Sequence, residues 1–600
     1  AALTLANNVT VASGQSGTIK APTASGAVTT LSGNYSGVAG TLTLDASGGT
    51  GFSGIAINSA IGPAIGSVTN LIGTTNANNV QLGLGSATAQ NFFANTKLTV
   101  SASGAGQTLI ALGNGGSGHN VQFGALDGGN STTTISSDNA SSTVTINGVT
   151  AGNFAGVIAD GANGGFTPLI ALVKTGSATQ TLSGINTYTG TTTVSGGTLS
   201  ISGSINNSAI INVGGGNLST TGADKLANAA AVTVSGGTLT VGGADSVGSL
   251  AMSSGTIGGS NTLTAATYNL SGGTVTGNLG AGTLNSSGTV ALNGTSGAGV
   301  VNVSAGTLTL GSSDRLNNSA AVTVSGGALA LGANNHTVGT VVLAGGSITG
   351  SGGTLLGSSY DMRSGSVSAK LGGAVALTKT TGGTVTLTGA NTYTGATTIS
   401  AGTLALGAGG SISDSSGVSL GTSGTFDVAA TGGYSVNNLS GSGIVVGSLT
   451  VSTQLAIGNS PGTTNFESLN LGSASTYLYE LTGGASTADL GNVSAVLTLS
   501  SGATLDLVQL GTYTADDKFT LFGYNSADNL SGIGTFAGYA DDSTFTDAGG
   551  IWQINYDDTL AGLNGGTGDR FVTITAVPEP AAALLGGLGL LALLRRRRNS

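Results

Sequence analysis

The sequence predicts an all-β protein, a right-handed parallel β-helix, and three observations carry that prediction. Val, Leu, Ile and Ala, the bulk of a 39 % apolar composition, alternate with Thr, Ser and Asn at the two-residue period of a half-buried strand. Gly and Asn punctuate these runs, with 109 Gly against 6 Pro in 600 residues, and supply the positive-φ positions that tight turns need. Long segments also repeat without gaps, and repeats decide architecture before any local motif does.

Taken in order, residues 1–153 alternate more loosely and are expected to be irregular or loosely coiled. Residues 154–495 carry the repeats. Leu172–Ile201 (LVKTGSATQTLSGINTYTGTTTVSGGTLSI) aligns with Leu377–Leu406 (LTKTTGGTVTLTGANTYTGATTISAGTLAL) at an offset of 205 residues. Lys174 matches Lys379. Asn186, Thr187, Tyr188, Thr189 and Gly190 match Asn391, Thr392, Tyr393, Thr394 and Gly395. A second pair, Asp224–Val241 and Asp314–Leu331, is offset by 90, and Tyr268–Val275 resembles Tyr360–Val367. Beneath all of these lies one short unit: a strand, a Ser/Ala-Gly-Gly or Ala-Gly turn, and a Thr-Leu-x-Leu/Val strand.

One such unit cannot bury both faces of its strands. Stacking copies about 4.8 Å apart makes a continuous core and a continuous parallel ladder, and crossovers between parallel strands are right-handed. With about 20–25 residues per coil, the 90-residue offset corresponds to about four coils. A propeller would need aromatic-marked blades of steady length, and a string of sandwiches would show linkers; neither pattern is present.

Residues 496–577 hold the only Trp, Trp552, with Phe545, Tyr556 and Phe571, and are expected to form a β cap over the open end of the coil stack. Aromatics exposed there could instead bind sugar. Residues 578–600 read Pro578, Glu579, Pro580, then an uncharged apolar stretch over 581–594, then Arg595, Arg596, Arg597 and Arg598. The apolar stretch predicts a short helix of about 21 Å, brief for a full membrane span, and the Arg cluster predicts a cytoplasmic stop. The chain opens on Ala1, which suggests that a signal peptide precedes it.

The repeat core, Asn-Thr-Tyr-Thr-Gly followed by a Gly-Thr-Leu strand, resembles the autotransporter-associated β-strand repeat. The segment Ile457–Thr463 (IGNSPGT) is similar to the late passenger region of the same proteins. That resemblance implies a β-helical passenger displayed outside the cell. The sequence departs from the family in carrying no run of about ten-residue strands with aromatic girdles that would make a translocating barrel. The tail resembles the PEP-CTERM sorting signal of Gram-negative bacteria. This implies that an exosortase-type membrane protease or transpeptidase recognises Pro578–Glu579–Pro580, after transient inner-membrane anchoring through 581–594, and sends the product to the surface or extracellular matrix. The alternative is an ordinary tail anchor that happens to start with Pro.

Composition limits the chemistry. The chain has no Cys, which excludes disulfides and Cys-built metal sites. Charged residues make up 6 %, and the net charge of −10 offers no basic stripe for nucleic acid. His119 and His336 sit among Gly and Asn and are expected in turns. Lys174 and Lys379, at one repeat position, are expected to play a repeated structural role. The Asp residues at 516, 517, 541, 542, 547, 557, 558 and 569 match no Ca²⁺-loop spacing and are expected to be solvated turn residues, with weak Ca²⁺ binding the alternative. Tyr188 and Tyr393 are expected to pack between coils rather than stack on a glycan. No catalytic set, metal or cofactor is expected. The expected function is an exported structural surface or matrix protein associated with biofilm or exopolysaccharide. A glycan-binding adhesin is the second reading and a polysaccharide-active enzyme the third.

Overall fold

The computed structural model describes residues 3–578 apart from 6–8, 12–14, 22–26, 33–34, 38–39, 47–52, 58–66, 73–79, 85–92, 102–106, 113–119, 138–139, 162–166, 459–460, 482–486 and 548. Glu579, Pro580, the apolar stretch 581–594, Arg595 to Arg598 and His119 therefore lie outside the described residues. The chain divides into two compact units, Ala1–Ala320 and Ala321–Ser600. Each is a parallel β-solenoid, and the described residues are strands and turns with two single-turn 3₁₀ segments, Ala429–Thr431 and Ser526–Asp528.

In the first unit each strand pairs in parallel with its counterpart one coil later. One inward column runs Val144, Leu172, Thr192, Ile211, Val232, Leu250, Tyr268, Leu284 and Val301. The steps along it are 16 to 28 residues, and every member is almost fully buried. The alternation in sequence thus becomes alternation across the ladder: apolar side chains fill the core while Thr, Ser and Asn face outward.

The 90-residue repeat spans five coil steps rather than the four expected. Leu226 lies beside Asp245, Asp245 pairs with Leu263, Leu263 with Leu279, Leu279 with Ser296, and Ser296 N–H bonds Arg315. Coils here are shorter than expected because Gly turns close them tightly. Asp224 and Asp314, equivalent in that repeat, both adopt a left-handed φ of 54°, which Asp tolerates better than most residues.

The second unit follows the same rule over Val322, Val341, Tyr360, Leu377, Thr397, Val418, Leu439, Leu455, Tyr477 and Leu505. Parallel pairing continues through Thr504–Gln509. The strand Lys518–Tyr524 pairs in parallel with Leu490–Val493 on one side and antiparallel with Arg570–Ala576 on the other. Gly550–Asp558 and Thr544–Asp547 extend that antiparallel sheet. Trp552, Phe545, Tyr556 and Phe571 are all buried within it, with Phe519 and Tyr513 rings 6.3 and 4.5 Å from Trp552. No helix among the described residues is long and apolar enough to cross a membrane.

Candidate functional site

The two copies of the Asn-Thr-Tyr-Thr-Gly repeat place their polar side chains alike: Asn186, Tyr188, Asn391 and Tyr393 are buried, while Thr187, Thr189, Thr392 and Thr394 are exposed. Asn186 is buried and bridges three coils. Its Oδ1 accepts the Ile158 N–H of the preceding coil at 2.9 Å, and its Nδ2 donates to Gly184 O and to Ser204 O of the following coil, both at 3.0 Å. Asn391 repeats this with Leu371 N–H, Gly389 O and Ser411 O, each at 3.0 Å. An amide suits the position because its oxygen takes an N–H of the preceding coil while its two N–H groups give second bonds to carbonyls that backbone N–H groups already reach.

Tyr188 and Tyr393 lie inside, as expected. Tyr188 Oη contacts Thr192 Oγ1 at 2.8 Å, Thr192 contacts Ser208 Oγ at 2.8 Å, and Ser208 donates to Gly190 O at 2.9 Å. Tyr393, Thr397, Ser415 and Gly395 O form the same chain at 2.7, 2.9 and 2.9 Å. Burial pushes both phenols well above their ordinary pKa, with the Thr hydroxyl only partly offsetting it. Gly190 and Gly395 end the motif because a Cβ there would strike the preceding coil's backbone at 2.2 and 2.5 Å.

Lys174 and Lys379 occupy an inward column, Lys174 between Ile146 and Val194. Each ammonium folds back to donate to turn carbonyls: Lys174 to Gly176 O and to Gly196 O at 3.3 Å, Lys379 to Thr381 O and to Ala401 O at 3.0 Å. Burial lowers both pKa values, opposed at Lys379 by the Asp361 charge.

His336 departs from expectation. It lies in the short strand His336–Thr337, paired with Leu355, and is 1 % exposed. Its Gly-Asn neighbours signalled a turn, but the turn precedes it and the imidazole is enclosed. The late carboxylates act mostly as turn staples. Asp541 Oδ1 accepts Tyr556 N–H at 3.0 Å, Asp542 Oδ1 accepts Asn555 Nδ2 at 2.9 Å, and Asp569 takes Ser526 N–H and Oγ at 2.7 Å each. Asp558 pairs with Lys518 at 2.9 Å. Among the described residues no three His, Asp or Glu side chains gather closely enough to hold a metal.

Sequence reasoning missed Asp489, which is fully buried. Its two oxygens accept Gly462 N–H at 3.1 Å and Glu480 N–H at 2.9 Å, and its carbonyl accepts Asn564 Nδ2 at 3.0 Å. Burial pushes this carboxyl up to about 7; the two N–H groups pull it down and the Glu480 charge raises it further. A single Asp near a Gly-rich segment gives no sequence signal of this kind.

The outward face of the first unit is also ordered. Thr179, Thr198, Asn217, Thr238, Thr256 and Thr274 pair in register, one per coil. Ala291 and Thr309 continue the file.

The family described as passenger-associated-transport-repeat matches residues 172–201 and 377–406, the two segments that carry these inward networks. No curated protein matches the chain. Three chains of known structure match it. One of them, the crystal structure of the Haemophilus influenzae Hap adhesin, is 12 % identical at a TM-score of 0.17, over 93 % of this chain. The chain spans 64 % of that adhesin chain's length. Residues 172–201 and 377–406 of this all-β solenoid are thus similar to that repeat.

Proposed function

We propose that this chain is an exported surface protein whose solenoid is a structural and adhesive body rather than a catalyst. The observation that carries the reading is the pair of segments matched by a transport-associated passenger repeat, each lying in register within a parallel ladder. Their Asn, Tyr, Thr, Ser and Lys side chains are spent on joining coil to coil, as a stack of self-similar units requires. Protease shaving and antibody labelling of intact cells test it. Accessible epitopes from both units support the reading, and epitopes reachable only after lysis overturn it.

The C-terminal residues supply the sorting step in this reading: recognition of Pro578–Glu579–Pro580 by an exosortase-type enzyme, transient anchoring through 581–594, and release to the surface or an exopolysaccharide matrix. Replacing Pro578, Glu579 and Pro580 by Ala would leave the full-length chain in the inner membrane, with Arg595 to Arg598 still attached by intact mass. Normal surface delivery of that variant overturns this part alone. A second reading, glycan adhesion, is favoured by the uncharged Thr and Asn file on the first unit.

A further inference from the structure

We propose that the outward file of the first unit is a binding site for an uncharged linear polysaccharide, lying along the ladder and held by side chains from successive coils. This deepens the adhesive reading and rests on it. Thr179, Thr198, Asn217, Thr238, Thr256 and Thr274 stand one above another at the ladder spacing of about 4.8 Å. All are exposed or half-exposed, and each alternates along its strand with a buried residue such as Leu199, Leu218, Leu239 or Ile257.

The polar groups of this file are unspent, as are those of the file two residues further along the same strands, Thr181, Ser200, Ser219 and Thr240, which widens the face. Among the described residues none of those six side chains hydrogen-bonds within the protein, whereas another outward file is consumed internally over its later coils. There Asn285 Nδ2 donates to Asn269 Oδ1, and Asn302 Nδ2 to Asn285 Oδ1, each at 2.9 Å. A Thr hydroxyl both donates and accepts, as does the Asn217 amide, so the file can pair with hydroxyls of either polarity. Being β-branched and held on strands, the Thr side chains have few rotamers to lose on binding.

Charge selects the occupant. From Thr175 to Ser313 the only charged residues are Asp224, Lys225 and Asp245, and Asp245 is buried. Asp224 and Lys225 belong to a turn rather than to any strand of this face. An acidic polymer would find no cation to meet it, and the file lacks the aromatic or Arg anchors that a protein partner uses. A neutral polymer that repeats its own hydroxyls meets a neutral surface that repeats its hydroxyls.

The test uses the full chain with microcrystalline cellulose as the neutral probe and alginate as the anionic one. The triple variant T198V/T238V/T274V keeps β-branched shape and strand propensity while removing three hydroxyls. T198K/T238K/T274K adds charge on the same file, and S347K/T386K, on outward positions of the second unit, is the control. The expected result is retention on cellulose that salt leaves unchanged, weakened about ten-fold or more in both triple variants and not in the control. Retention of T198V/T238V/T274V at the original strength overturns the assignment of the site while leaving glycan adhesion standing. Absence of cellulose binding by every version overturns both. Preference for alginate that salt abolishes, or self-association lost in the triple variants, overturns the neutral-polymer assignment in favour of those occupants.

Discussion

The two copies of the repeat answer the same structural problem with the same core and different accessories. In both, Asn bridges three coils, Tyr leads a buried hydroxyl chain, and Lys caps turn carbonyls. The first copy adds two clamps. Gln180 reaches past Gly152, whose missing Cβ leaves the path open, to accept Leu126 N–H at 3.0 Å and donate to Leu126 O at 2.9 Å. Asp160 takes Thr189 N–H at 3.0 Å and Thr189 Oγ1 at 2.6 Å. In the second copy Val385 stands where Gln180 does, and Thr394 N–H goes to the Gly373 carbonyl at 3.0 Å instead. The shared part is what stacking of self-similar coils demands. The accessories answer to whichever neighbouring coil each copy happens to meet.

The strongest way to break this comparison is to remove the shared bridge. Asn391→Ala strands the Leu371 N–H and takes the second donor from the Gly389 and Ser411 carbonyls, for an expected loss of about 2–3 kcal/mol of local stability. Asn186→Ala should lose as much at Ile158. Hydrogen exchange at the Leu371 and Ile158 amides reads both, and a clear inequality between them would show that the copies are not equivalent. Asp489 sharpens the contrast from outside the repeats. Its carboxyl, raised by burial, binds a proton more tightly folded than unfolded, so its contribution is complete below about pH 4 and disappears as pH rises through about 7. Thermal melts from acid to mildly alkaline pH should show that slope in the native chain and its loss in Asp489→Asn.

Gln180→Val would convert the first copy to the second copy's solution. It leaves the Leu126 amide and carbonyl without the side chain that now serves both, at an expected cost of about 1–3 kcal/mol. A change indistinguishable from zero in urea titration would mean that the backbone repairs itself. The smallest effect is expected for Thr189→Val, which removes only the exposed hydroxyl bond to Asp160 and costs less than about 1 kcal/mol. Local exchange at the amide of residue 189 is the sensitive readout.

Much of the fold was legible because strand periodicity and self-similarity are local signals. The repeat Leu172–Ile201 against Leu377–Leu406 announced stacked coils. The coil length was less legible: 90 residues read as about four coils and proved to be five steps, since the residues in a turn depend on how closely Gly lets adjacent backbones approach. His336 was misplaced for a related reason. Its neighbours carry turn signals, but the side chain's position follows from its partner Leu355 in the next coil.

The amino-acid sequence by itself determined the β class, the parallel stacking and the repeat positions, and it marked Tyr188, Tyr393, Lys174 and Lys379 as structural. These rest on period, composition and identity between copies, which need no knowledge of what lies beside each strand. Only the tertiary structure decided that Asn186 and Asn391 tie three coils together, that Asp489 is buried, and that the hydroxyls from Thr179 to Thr274 form one unspent file. Each of those depends on register between residues about twenty positions apart. Register is set by the summed fit of whole coils, which no short stretch of sequence displays.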